Sequence, residues 1–205
     1  MTKPSNEAMW LISHRLMSVA AGLHALSITS DAGLTAPKLT MIMEGNKNPI
    51  IEGTIQTYVG PTVEIAAIHT RALLEFLGLQ AVKADRTKIQ SRKTPRQADD
   101  LGVEQFTGRA IELAAFLAAH YRGPAADAEK ALGAVFWTTN KGLAHSTSHF
   151  QRGEAKSDLL FEAFCAVPGM MRFAFYAPLK IPFPKFPFEH DPHPAFPPLP
   201  WPPSP

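Results

Sequence analysis

Thr138-Thr139-Asn140-Lys141-Gly142-Leu143-Ala144-His145-Ser146-Thr147 places a polar and cationic cluster and a histidine directly after an apolar segment. Apolar residues at helical spacing stand on both sides of it, so the cluster reads as part of a seam between packed helices rather than a loop. Upstream, residues 124–146 open with Pro124 and carry Asp127 and Glu129 in the first turns, where acids suit the positive end of a helix. Downstream, residues 154–176 carry Leu159, Leu160, Phe164, Val167, Met171 and Phe175, with an interruption expected at Pro168-Gly169.

Outward from there the helical pattern repeats. Residues 7–27 space Met9, Leu16, Ala20 and Leu23 one or two turns apart, with Ser5 or Asn6 as cap. Within 54–79, Pro61 marks a start or a kink, Val63, Ala66, Leu73 and Leu77 make a buried stripe over 62–77, and Gly78 suits the end. Residues 103–120 read as one further helix bearing Phe106, Leu113 and Leu117. No segment pairs a two-residue alternation with hairpin turns, so the expected class is all-α. The organisation expected is an N-terminal helical segment and connector over 1–53, a helical bundle over 54–177, and a proline- and aromatic-rich arm over 178–205. Proline is too frequent in that arm for helix or paired strand to propagate. Phe183, Phe186, Phe188, Phe196 and Trp201 suit docking on the bundle, on a second subunit or on another protein.

Composition sets the outer limits. The 205 residues can bury one sizeable core. The formal charge of +2 imposes no global demand for a nucleic-acid partner, and a sequence pI near 8.7 does not exclude one. Cys165 is the single cysteine, so neither an internal disulfide nor a cysteine-rich zinc cage can form. Without a secretory pattern or a long uninterrupted apolar run, the expectation is a cytoplasmic protein that does not insert in membrane.

Charge concentrates in a connector, residues 81–97, with Lys83, Arg86, Lys88, Arg92, Lys93 and Arg96 against Asp85. It reads either as a solvated loop or as a basic lip that attracts phosphate. No aromatic interleaves these charges, so base stacking is not supported there. His145 and His149 have zinc-pair spacing, but no carboxylate lies between them, and no metal or cofactor is expected. Phosphate-binding glycine loops, nucleophile elbows and dinucleotide fingerprints do not occur in the chain.

Three pieces stand in order: His69-Thr70-Arg71-Ala72-Leu73-Leu74-Glu75-Phe76-Leu77, then Ala98-Asp99-Asp100 with Glu104-Gln105-Phe106, then residues 140–147. Together they resemble uncharacterised bacterial proteins of the HEPN superfamily. The resemblance implies an up-and-down helical bundle that dimerises and, in catalytic members, cleaves RNA without metal. Such members place an arginine a few residues before a histidine. Here Thr139 stands where that arginine would be and Asn140 fits the polar slot after it, or in the other permitted registers Asn140 or Thr138 is the replacement; His145 is the histidine. The resemblance makes His145, Asn140 and Lys141 the candidate catalytic group, with His145 as the base that activates a ribose hydroxyl. Arg71, Glu75, Thr139, Arg92 and Lys93 are candidate substrate-binding residues. Arg71 could supply the missing guanidinium from a neighbouring helix. Otherwise Arg71 and Glu75 bridge one another as an i,i+4 pair, and His145 is an interface or capping residue. The functions to be weighed are RNA or nucleotide binding, as a ribonuclease of a defence or toxin–antitoxin system, and non-catalytic dimeric assembly through the arm.

Overall fold

The computed structural model describes residues 3–31, 38–45, 47–83, 85, 88–92, 100–121, 123–143 and 157–185. The chain is mainly helical. Helix α1 (Asn6–Asp31) is capped by Ser5, whose hydroxyl accepts from the Ala8 amide at 3.1 Å. A β-hairpin follows, β1 (Lys38–Ile42) antiparallel to β2 (Pro49–Thr54), and it leads directly into α2 (Ile55–Phe76). A second, short hairpin pairs β3 (Leu79–Ala81) with β4 (Ile89–Ser91). Then come α3 (Val103–Thr107), α4 (Leu113–His120), α5 (Ala125–Trp137) and α6 (Ser157–Met171).

The expected all-α class is therefore corrected by two hairpins. The first has a readable signal in hindsight: Leu39 and Met41 alternate with polar partners, and Gly45 turns the chain with φ 83°. The described part of the basic connector belongs to the second hairpin. Val82 donates to the Lys88 carbonyl at 2.9 Å to close the turn between β3 and β4, and Lys88 meets Asp85 at 3.3 Å. The single helix expected over 103–120 is two, because Gly108 adopts φ 78° and stops α3. Glu112 then caps α4 through the Ala115 amide at 2.8 Å.

Two helices widen rather than end. After α5 the chain continues as a π-helical turn, Thr138–Leu143. The Thr139 hydroxyl donates to the Val135 carbonyl at 2.8 Å, which is the acceptor a regular α-helix assigns to the Thr139 amide. Such competition favours the wider ladder. Pro168-Gly169 does not interrupt α6; the helix runs through and widens at Arg172–Tyr176, where Ala177 donates to the Arg172 carbonyl.

One hydrophobic cluster joins all the long helices. Ile12, Leu16 and Val19 of α1 meet Leu73 and Leu74 of α2, Leu132 and Val135 of α5, and Phe164 and Val167 of α6. The segment before residue 54 thus shares the bundle's core. The helices α1 and α2 run antiparallel and touch closely at Gly22, where a β-carbon would collide with that of Ala66 and crowd Phe164. Gly78, at φ 84°, ends α2 as the sequence suggests and turns the chain into β3. Residues 6–28 and 157–179 are each helical, long and apolar enough to cross a membrane. Both also contribute side chains to the core.

Candidate functional site

Arg71 stands on the face of α2 that packs against the π-helical turn. Its Nη1 donates to Asn140 Oδ1 at 2.8 Å, and its Nε donates to Glu75 Oε1 at 2.8 Å. The guanidinium also lies over the Phe136 ring, 5.8 Å from its centroid. The i,i+4 bridge and the cross-helix contact expected as alternatives thus exist together. Arg71, Glu75 and Asn140 form one connected, half-exposed polar group, with Lys141 on the same turn as Asn140. Guanidinium has five N–H donors, so these two bonds leave it capacity for a phosphate or carboxylate oxygen.

Thr139 does not line this group. It is 5 % exposed, and its hydroxyl is given to the carbonyls of Val135 and Phe136. It anchors the turn that presents Asn140. His145 and Lys93 lie outside the described residues, as do His149, Arg86 and Arg96.

On the other side of Glu75 a cavity of about 350 Å³ opens between α1, α2 and the chain after β4. Arg15, Glu75, Arg92 and Asp100 give it polar walls, and Leu11, Phe76 and Leu101 give it apolar ones. Arg92 Nη1 reaches Asp100 Oδ2 at 3.5 Å, a long contact on a partly exposed acid. The Arg92 amide donates to the Gly78 carbonyl at 2.7 Å, which fixes the chain after β4 against the end of α2. Arg92, a candidate substrate-binding residue in the sequence, lines this cavity beside Asp100. Burial lowers the pKa of Arg15, and the nearby Glu75 charge works in the opposite direction.

Sequence reasoning missed the α1 side of this region. His14 stacks on Trp10, with ring centroids 5.3 Å apart, and meets His69 edge-on at 5.4 Å. Burial, reinforced by His14 and Arg15, holds the His69 imidazole below its ordinary range. His14 and Arg15 were legible only as interruptions of an apolar stretch. Their proximity to His69 and Glu75 depends on the antiparallel packing of two helices separated by a hairpin. Among the described residues no group of three His, Cys, Asp or Glu side chains gathers as a metal site. Comparison with protein-family models, with characterised proteins and with solved structures finds no match to this chain.

Proposed function

We propose that this chain is a HEPN-like RNA- or nucleotide-binding protein whose phosphate site is centred on Arg71 and Asn140. Its activity in this reading is metal-independent RNA cleavage in a defence or toxin–antitoxin setting, carried out in the cytoplasm by a homodimer. The observation that supports it is the 2.8 Å bond from Arg71 Nη1 to Asn140 Oδ1. A cation missing from the linear motif is present in space beside the motif's polar residue. In the proposed mechanism Arg71 and Lys141 hold the phosphate, Asn140 orients the Arg71 fork, and His145 takes the proton of the attacking 2′-hydroxyl. That hydroxyl oxygen forms the new bond to phosphorus while the bond to the 5′-oxygen breaks; the 5′-oxygen takes a proton from water and leaves as a hydroxyl, and the other product is a 2′,3′-cyclic phosphate. Glu75 limits the net positive charge and holds the guanidinium in one orientation.

The test is labelled single-stranded RNA at moderate ionic strength with chelator present, comparing wild type with Arg71→Ala and His145→Ala. Binding is expected to weaken in the first variant, and cleavage to stop in the second without loss of binding. Wild-type protein that neither binds nor cleaves RNA overturns the proposal.

A non-catalytic assembly role is the alternative, and a separate observation favours it. Trp10 is 67 % exposed, and Met17, Ile65 and Ile68 are exposed as well. So are Ile42, Met43 and Ile50 on the first hairpin, an unusual concentration of apolar surface. Light scattering of the full chain and of a chain ended after Lys185 decides whether the arm contributes to a dimer. Monomers in both removes this role.

A further inference from the structure

The close approach at Gly22 and Ala66 lies near the middle of the α1–α2 pair; the cavity lies toward the end where Arg15 and Glu75 sit. Two of its donors stand out. Arg15 Nε and Arg92 Nε are both buried, and neither meets a hydrogen-bond acceptor among the described residues. They come from different elements, α1 and the chain after β4, yet both side chains line the same cavity. A buried donor without an acceptor destabilises the fold, so an acceptor that reaches either Nε recovers free energy.

The carboxylates nearby do not fill that role. Glu75 directs Oε1 to Arg71 at 2.8 Å, and Asp100 meets Arg92 through Nη1 rather than Nε, at 3.5 Å. Among the described residues the rest of the lining is apolar: Leu11, Ile12, Ala72, Leu73, Phe76 and Leu101. A bare inorganic ion gains nothing from those walls. An anion with an apolar body uses both the donors and the hydrocarbon.

We infer that this cavity binds a small organic anion, its oxyanion head between Arg15 and Arg92 and its apolar or aromatic body against Phe76 and Leu101. The head is a carboxylate or a phosphate monoester, since both present oxygens that match a guanidinium fork. The inference is independent of RNA binding at Arg71, to which the cavity is connected through Glu75.

Calorimetric titration of the full chain with benzoate, adenosine 5′-monophosphate and inorganic phosphate tests it. One of the two organic anions is expected to bind with Kd below about 1 mM, and inorganic phosphate at least about tenfold more weakly. Benzoate identifies a carboxylate ligand and the nucleotide a phosphate monoester. Arg15→Met and Arg92→Met are each expected to weaken binding about tenfold with unchanged circular dichroism. Arg15→Lys keeps the charge and removes the Nε donor, so it should weaken binding too. RNA binding measured on Arg15→Met should not change, so the two readings fail separately. Absence of binding by both organic anions at about 10 mM overturns the inference. So does undiminished binding in the two methionine variants, or in Arg15→Lys.

Discussion

Arg71 Nη1 and Asn140 Oδ1 meet at 2.8 Å although 69 positions separate the two residues in the chain. The bond ties α2 to the π-helical turn after α5, so it reports on the packing that builds the candidate site. A double-mutant cycle with Arg71→Ala and Asn140→Ala should show a coupling of about 1 kcal/mol in urea unfolding. Partial exposure of Arg71 keeps this below the value of a buried charged bond. Additive effects of the two substitutions would mean that the contact does not persist in solution.

Gly22→Ala should destabilise the fold despite the better helix propensity of alanine. Propensity contributes about 1 kcal/mol in favour of the substitution. Against it, the new methyl meets the Ala66 β-carbon, which is fixed to backbone and cannot rotate away. Overpacking of this kind costs about 1–3 kcal/mol, so net loss is expected. Ala66→Gly in the same chain should restore part of it. A stabilising Gly22→Ala would show that α1 and α2 are farther apart than described here.

Stability should decline in alkali. The Tyr121 hydroxyl donates to Glu162 Oε1 at 2.7 Å, and burial first, then this bond, raises its pKa above the ordinary 10.0. Burial, helped by the Glu162 charge, pushes the Cys165 thiol from 9.0 up to about 12. Both groups are neutral when protonated, and the unfolded chain loses those protons at lower pH than the folded one. Their contribution is complete below pH 9 and is lost as pH rises through the folded values. Urea midpoints should be level near pH 8 and fall steadily above about pH 9. Native Cys165 should also react slowly with an aromatic disulfide reagent at about pH 8, because its raised pKa leaves little thiolate. Rapid modification of the native thiol would contradict that shift.

The helices were legible because their apolar spacing and their end signals agree. Ser5, Gly78 and the Leu73–Leu77 stripe act through neighbours in sequence, and local chemistry is what a sequence displays. The first hairpin was less legible because its strands are mostly exposed, so β1 lacks the strong hydrophobic alternation of a half-buried strand. The second has strands of three residues each, too short to establish a period. At the site, Arg71 and Asn140 could be named from sequence, but their bond could not. The π-helical turn shifts side-chain phase after Thr138, and an α-helical reading of residues 138–147 has no means of including that shift. Arg15 was unreadable for a simpler reason: its relation to Arg92 exists only after two helices and a hairpin have packed.

The start of the proline-rich arm docks on its own bundle, and Phe183 carries the contact. Its ring meets Tyr176 edge-on at 5.1 Å, and the Arg172 guanidinium lies over it at 4.7 Å. Arg172 Nε is buried without a hydrogen-bond partner among the described residues, and burial lowers its pKa, so the Phe183 face is a principal compensation for that charge. Backbone pairing assists, since the Ile181 amide donates to the Tyr176 carbonyl at 3.0 Å. Phe183→Ala should therefore lower stability by about 1–2 kcal/mol, through lost ring contact and cation–π attraction. Phe183→Leu should lose most of the same amount, because hydrocarbon replaces the area but not the ring quadrupole. The Tyr176 hydroxyl supplies a control on the other side of the contact: it is buried, lies near Ser13, and has no partner at hydrogen-bonding geometry among the described residues. Tyr176→Phe keeps the ring and removes that polar atom, so it should change stability by less than about 0.5 kcal/mol or raise it. Melting temperatures of these variants should differ from wild type by the same interval at low and high protein concentration. If the Phe183→Ala deficit appears only in concentrated protein, the ring docks on a second chain and its seat against Arg172 is not the one made in solution.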